Sequence, residues 1–143
     1  MKSTASATWQ GGLKDGKGTV TAGNGAFQDV GLTYAKRFEG ASGPGTTPEE
    51  LIASAHAGCF SMAFGSALEK AGFKATSIAT SAVVTLEPKD GKPTVVSSHL
   101  VTRATVPGID AAQFQEVANG AKAGCPISRL LATEITLEAT LEG

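Results

Sequence analysis

The stretch T-P-E-E-L-I-A-S-A-H-A-G-C-F-S-M (Thr47 to Met62) decides how this chain is read. Thr47 is an N-cap, Pro48 suits the first helical position, and Glu50 three residues after Thr47 closes a capping box. Glu49 and Glu50 also complement the positive end of the helix dipole. The apolar pattern continues through Cys59, Met62 and Leu68 to Ala71, with Gly72 as the stop. A helix of that extent spans about 36 Å at ~1.5 Å per residue. Between Leu51 and Ala67 no side chain is charged, with histidine neutral. A helix that is apolar nearly all round is buried on most sides, which predicts a deep position for Cys59.

Outward from this helix the chain reads as strands first. Thr4 to Gln10 and Gly16 to Thr21 alternate weakly around Gly-Gly and Asp-Gly signals and predict a β-hairpin. Leu32 to Glu39 is a third strand candidate, and Gly40 to Thr46 is a Gly/Ser/Pro loop. Ala75 to Glu87 and Thr94 to Val106 are long β-patterned runs around the turn Lys89-Asp90-Gly91-Lys92. Asp110 caps a second helix that runs to about Ala121 or Lys122, a short helix follows from Pro126 to Leu131, and Glu134 to Glu142 is a last strand. The order β-β-β-α-β-β-α-α-β is α+β, with no repeat and no linker, so residues 1–143 read as one domain.

The bulk numbers narrow the function. Net charge is −1, with no basic run, so phosphate-driven nucleic-acid binding has nothing to work with. The start M-K-S-T-A-S-A-T-W-Q lacks the apolar centre of a signal peptide, and no stretch approaches the ~18 consecutive apolar residues of a membrane span. The expected compartment is a reducing cytosol. Apolar residues make up 41% but aromatics only 6%, so the core rests on small side chains and subunit association would supplement it.

Cys59 and Cys125 are the only cysteines, 66 positions apart. In a reducing compartment such a pair is more often redox machinery than a staple. Cys125 precedes Pro126 at a helix start, where free N–H groups lower a thiol pKa; an apolar helix interior raises that of Cys59. A reactive Cys59 therefore needs a cation. Arg37 in R-F-E-G is the candidate, with Glu49 able to hold its guanidinium through two N–H groups. Chemistry alone favours Cys125 as the attacking thiol. Other options are a two-Cys, two-His zinc site with His56 and His99, which lacks the usual short ligand spacings, and a His56–Cys59 nucleophile pair. The bland reading makes His56 a core histidine bonded to a backbone carbonyl, His99 structural, and both cysteines small buried hydrophobes. The Gly-rich loop before Thr47 has no phosphate-binding motif, and two glutamates follow it.

Taken together, R-F-E-G (Arg37 to Gly40), Thr47 to Met62, V-P-G-I-D (Val106 to Asp110) and K-A-G-C-P-I-S (Lys122 to Ser128) resemble the osmotically inducible protein C (OsmC) family, related to the organic hydroperoxide resistance proteins. The similarity covers nearly the whole chain in order. H-A-G-C-F is similar to the OsmC branch. The resemblance implies an α+β, OsmC-like fold, with N-terminal strands followed by a sheet packed with two main helices, in an intertwined homodimer. It implies a cytoplasmic, stress-related thiol peroxidase that reduces organic hydroperoxides without metal, haem or flavin. On this resemblance Cys59 attacks the peroxide, Cys125 resolves, and Arg37 and Glu49 activate; a dithiol such as dihydrolipoamide returns the electrons. The rival class is a non-catalytic thiol sensor or ligand-binding module on the same fold. Thr47 stands where Asn is common, which is neutral for capping. Gly58 stands where Ala is common and is expected to make room beside Cys59. Phe38, Phe60, Met62 and Phe64 are the candidates for lining an apolar substrate pocket.

Overall fold

The computed structural model describes all residues from Met1 to Gly143. The chain forms two compact units, Met1–Leu51 and Ile52–Gly143.

In the first unit β1 (Ala5–Gln10), β2 (Lys17–Ala22) and β3 (Val30–Thr33) form an antiparallel sheet in that order. The β1–β2 hairpin lies where the Gly-Gly and Asp-Gly signals put it. The third strand is shorter than the sequence suggested. It stops at Thr33, and Tyr34–Phe38 is a short helix, α1. The Thr33 hydroxyl accepts the Lys36 N–H at 3.1 Å and so caps it. Ala, Lys and Arg favour helix, and Tyr34 and Phe38 one turn apart bring their rings to 4.9 Å.

Helix α2 (Pro48–Lys70) starts and stops as its punctuation predicts. The Glu50 N–H donates to Thr47 Oγ1 at 3.1 Å, and the Thr47 N–H donates back to Glu50 Oε2 at 2.9 Å. At the other end Gly72 adopts φ +88°, the Phe73 N–H reaches the Leu68 carbonyl and the Gly72 N–H reaches that of Glu69. This is a Schellman stop, and it uses glycine because φ is positive.

In the second unit β4 (Ser77–Lys89) and β5 (Lys92–Thr105) pair antiparallel through a turn in which Asp90 and Gly91 both have positive φ. The chain then passes through α3 (Ala111–Gly124) and α4 (Pro126–Leu130) to β6 (Glu134–Glu142), which pairs parallel to β5. Strand β6 alternates strictly. Ile135, Leu137, Ala139 and Leu141 pack on the core, while the residues between them are exposed. The inward face of β5 presents Ser98, Leu100, Thr102 and Ala104, all fully buried.

Phe60, Phe64 and Leu68 of α2 form the core with Leu100, Ala104 and Phe114, and the Phe64 and Phe114 rings meet edge-on at 5.4 Å. These helix positions recur every four residues with His56, so α2 buries one stripe. The expectation of burial on most sides is therefore corrected, because a sheet has one face to offer. Ala55, Gly58, Met62 and Ser66 are exposed, Cys59 is half-buried, and Met62 keeps 78% of its surface. A second correction concerns membranes. The 23-residue α2, with a mean hydropathy of 1.4, is long and apolar enough to cross one. Here its aromatic stripe is packed in the core of the second unit.

Candidate active site

In the first unit α1 presents Arg37 and the first turn of α2 presents Glu49. Arg37 Nη2 donates to Glu49 Oε1 at 2.8 Å, and Nε lies 3.2 and 3.3 Å from the two carboxylate oxygens. Two donors on a planar fork fix the guanidinium in orientation as well as position. Glu49 is only 9% exposed, so Arg37 stands where water would otherwise solvate much of the carboxylate. Arg37 also borders an apolar cleft of about 250 Å³ lined by Trp9, Leu13, Leu32, Tyr34 and Phe38. Of the four candidates for lining an apolar pocket, Phe38 lines this cleft. Phe60 and Phe64 are wholly consumed by the core, and Met62 lies on the exposed face of α2.

In the second unit the two thiols come together, both free. Cys59 on α2 is half-buried against the core, while Cys125 is fully buried where α3 ends and α4 begins. They lie near enough for each thiol to act on the ionisation of the other. Burial pushes the Cys59 thiol up; the Ile127 N–H opposes that, and Cys125 adds to it. Burial is also the largest influence on Cys125 and acts upward. It is outweighed by the Ser128 N–H, the Cys59 thiol, the Ile127 N–H and the Ser128 hydroxyl, which together bring the thiol below its usual range. These groups surround the sulfur without closing a capping hydrogen bond on α4.

His56 is fully buried one turn before Cys59. Its partners are two serine hydroxyls, where the sequence suggested a backbone carbonyl. Nδ1 lies 2.7 Å from Ser98 Oγ and Nε2 lies 2.8 Å from Ser128 Oγ. Burial holds its pKa below the ordinary value. His99 instead faces Thr136 and Glu138 on β6. No three His, Cys, Asp or Glu side chains converge as metal ligands, so the four residues of the zinc option do not form one site within this chain. Sequence reading missed Ser98 and Ser128. The signals were present: period-two alternation puts Ser98 on the inward face with Leu100, and Ser128 lies three residues after Cys125 in the same helical start.

The OsmC-like protein family profile matches residues 40–140. The chain is 46% identical over 136 residues to the peroxiredoxin OsmC of Escherichia coli (strain K12), covering 95% of this chain and 94% of that protein. It is 31% identical over 140 residues to the organic hydroperoxide resistance protein of Xanthomonas axonopodis pv. citri, covering 96% and 93%. Among solved structures it is similar to the organic hydroperoxide resistance protein OhrB of Bacillus subtilis, with TM-score 0.71, 25% identity and coverage of 97% and 98%. The fold also matches an OsmC-like protein from Mycoplasma pneumoniae, with TM-score 0.74 at 17% identity over 100% of this chain and 99% of that one. A profile over most of the chain, and relatives that align with it nearly end to end, make this two-cysteine α+β protein a member of the OsmC-like family.

Proposed function

We propose that this chain is a thiol-dependent peroxidase that reduces organic hydroperoxides to alcohols through a Cys59 sulfenic acid and a Cys59–Cys125 disulfide. The observation that carries the reading is the meeting of two free thiols, one reachable and one sealed. The names of the relatives, a peroxiredoxin and organic hydroperoxide resistance proteins, support it.

The Cys59 thiolate attacks the outer peroxide oxygen. The O–O bond breaks, the alkoxide takes a proton and leaves as alcohol, and the sulfur becomes a sulfenic acid. Cys125 then attacks that sulfur. An S–S bond forms, the S–O bond breaks, and hydroxide leaves as water with the proton Cys125 gave up. An external dithiol, of which dihydrolipoamide is one, reduces the disulfide by exchange. Arg37, held by Glu49, supplies the cation that favours the Cys59 thiolate and the negative charge developing on the leaving oxygen. An alkyl group suits the apolar cleft beside Arg37. The working unit in this reading is a homodimer in the cytoplasm, with a second copy covering the exposed face of α2.

One observation favours a second reading, in which Cys125 attacks first, since its sulfur is the better thiolate. Access argues the other way, because the fully buried Cys125 offers a peroxide no approach while Cys59 does. Trapping the sulfenic acid with dimedone in Cys59→Ser and Cys125→Ser, followed by peptide mapping, decides between them. The adduct is expected on Cys59 in Cys125→Ser; an adduct on Cys125 in Cys59→Ser, with none on Cys59, would reverse the roles.

A further inference from the structure

Cys59 stands in the middle of one turn of α2, Ala57 to Ser61, and hydroxyl groups that the thiol chemistry above leaves unused tie that turn to the sheet. Ser61 Oγ lies 2.9 Å from the Ala57 carbonyl oxygen and 2.9 Å from Thr80 Oγ1 on β4. Thr80 Oγ1 lies 2.9 Å from Thr102 Oγ1 on β5, and the Thr102 hydroxyl donates to the Ala79 carbonyl at 3.3 Å. Thr102 is fully buried, and it is the direct cross-strand partner of Thr80. The three hydroxyls form one chain, with a backbone carbonyl of α2 at one end and of β4 at the other.

The turn has reason to be tied. Gly58 lies within it, and glycine weakens a helix interior. A serine hydroxyl on the carbonyl four residues back competes with the helix N–H for that carbonyl and loosens the turn further. Ser61 has one proton for two acceptors, so Thr80 draws on the hydroxyl that would otherwise turn back on α2 alone. Elsewhere along its buried stripe α2 is held by Phe60, Phe64 and Leu68, whose apolar contacts are non-directional. A hydrogen bond fixes angle as well as distance. Ser61 comes two residues after Cys59, and three residues before it His56 lies 2.7 Å from Ser98 Oγ of β5, so directional contacts to the sheet stand on both sides of the thiol.

We propose that Thr80 is a positioning residue for Cys59: through Ser61, and backed by Thr102, it holds the Ala57–Ser61 turn at one rotation against the sheet, so that the sulfur meets a peroxide along a fixed line of attack. Reaction with a bound peroxide depends on alignment, where a misplacement of about 1 Å can cost up to about a hundredfold. Iodoacetamide, attacked from free solution, responds to thiolate content and access. The consequence for turnover rests on Cys59 as the attacking thiol, but the tie itself does not. Amide hydrogen exchange measures the tie in the reduced protein without peroxide.

In reduced Thr80→Val the amides of Phe60 and Ser61 should exchange about fivefold faster than in the parent, as for the loss of one ordinary hydrogen bond, while those of Phe64 and Leu68 stay as they were. Oxidation of Cys59 by cumene hydroperoxide should slow about tenfold, with its alkylation by iodoacetamide, located by peptide mapping, no slower. Thr80→Ser, which keeps the hydroxyl, should restore both, and Ser61→Ala with Thr80→Val should oxidise no more slowly than Thr80→Val alone. A Thr80→Val protein that melts earlier with local exchange and oxidation unchanged would overturn the proposal. So would oxidation and alkylation falling together, since that is a loss of thiolate and not of position. If Cys59 of the parent does not react with peroxide, the proposed function falls, and the exchange of Phe60 and Ser61 still decides on the tie. Should Thr80→Val fail to fold, Ser61→Ala makes the same comparison of oxidation with alkylation.

Discussion

Arg37 and Glu49 show what was legible at the scale of single residues. Complementary forks suggested their pairing, and the structure has the guanidinium on the carboxylate at 2.8 Å. The surroundings of His56 were not legible, because its partners come from positions 42 and 72 residues away that only the fold assembles. The cation's role is testable. Arg37→Ala should lower kcat/KM for an alkyl hydroperoxide by about 10²–10³-fold and slow alkylation of Cys59 at neutral pH, with Glu49→Gln milder. An unchanged pH profile of Cys59 alkylation in Arg37→Ala would remove Arg37 from the mechanism. His56 also sets an acid limit on stability. Its folded pKa lies below the ordinary value of 6.5, so the unfolded chain binds the proton more readily. The stability His56 contributes is fully present above pH 6.5 and is lost as pH falls from there through the lower folded value. Urea unfolding at a series of pH values should show this fall in the parent and a flatter profile in His56→Gln.

At the scale of elements, the helices that carry their own punctuation were the easiest to read. Thr47, Pro48 and Glu50 start α2, Gly72 stops it, and Asp110 caps α3 through the Gln113 N–H at 2.8 Å. What misled was a run of mixed apolar and polar residues whose cap at Thr33 is easily read as part of a strand. Leu32 to Glu39 reads as strand, while the strand ends at Thr33, whose hydroxyl caps a helix over Tyr34–Phe38. The hydrophobicity of α2 likewise gave no information about which face is covered. Its burial pattern predicts an asymmetric response to substitution. Phe64→Ala, at the centre of the core, should cost about 3–5 kcal/mol. Gly58→Ala should instead stabilise an isolated chain by up to about 1 kcal/mol, because a Cβ at Gly58 meets nothing within 4 Å, contrary to the expectation that this glycine makes room for Cys59. Thermal melts of the two variants check both signs.

At the scale of the whole molecule, the proposed homodimer follows from the exposed face of α2, where Ala55, Gly58, Met62 and Ser66 remain uncovered beside a half-buried Cys59. An obligate interface of this kind exceeds ~2,000 Å² and resembles a divided core. Sedimentation at micromolar concentration should give twice the chain mass of 14.4 kDa, and a fully active monomer would contradict it. The family was legible from four ordered motifs, whereas the state of association was not, because small apolar side chains are compatible with a core or an interface. Peroxidase activity is tested most directly by catalytic consumption of peroxide. Cumene hydroperoxide and hydrogen peroxide should be followed with excess dihydrolipoamide, using the parent chain, Cys59→Ser and Cys125→Ser. The parent should turn over many equivalents, with higher kcat/KM for the apolar peroxide, at ~0.8 kcal/mol per buried CH₂. Cys59→Ser should be inert, and Cys125→Ser should consume about one equivalent per site and stop. A parent protein that reacts once and stalls in the presence of dithiol would contradict the peroxidase and leave a thiol sensor.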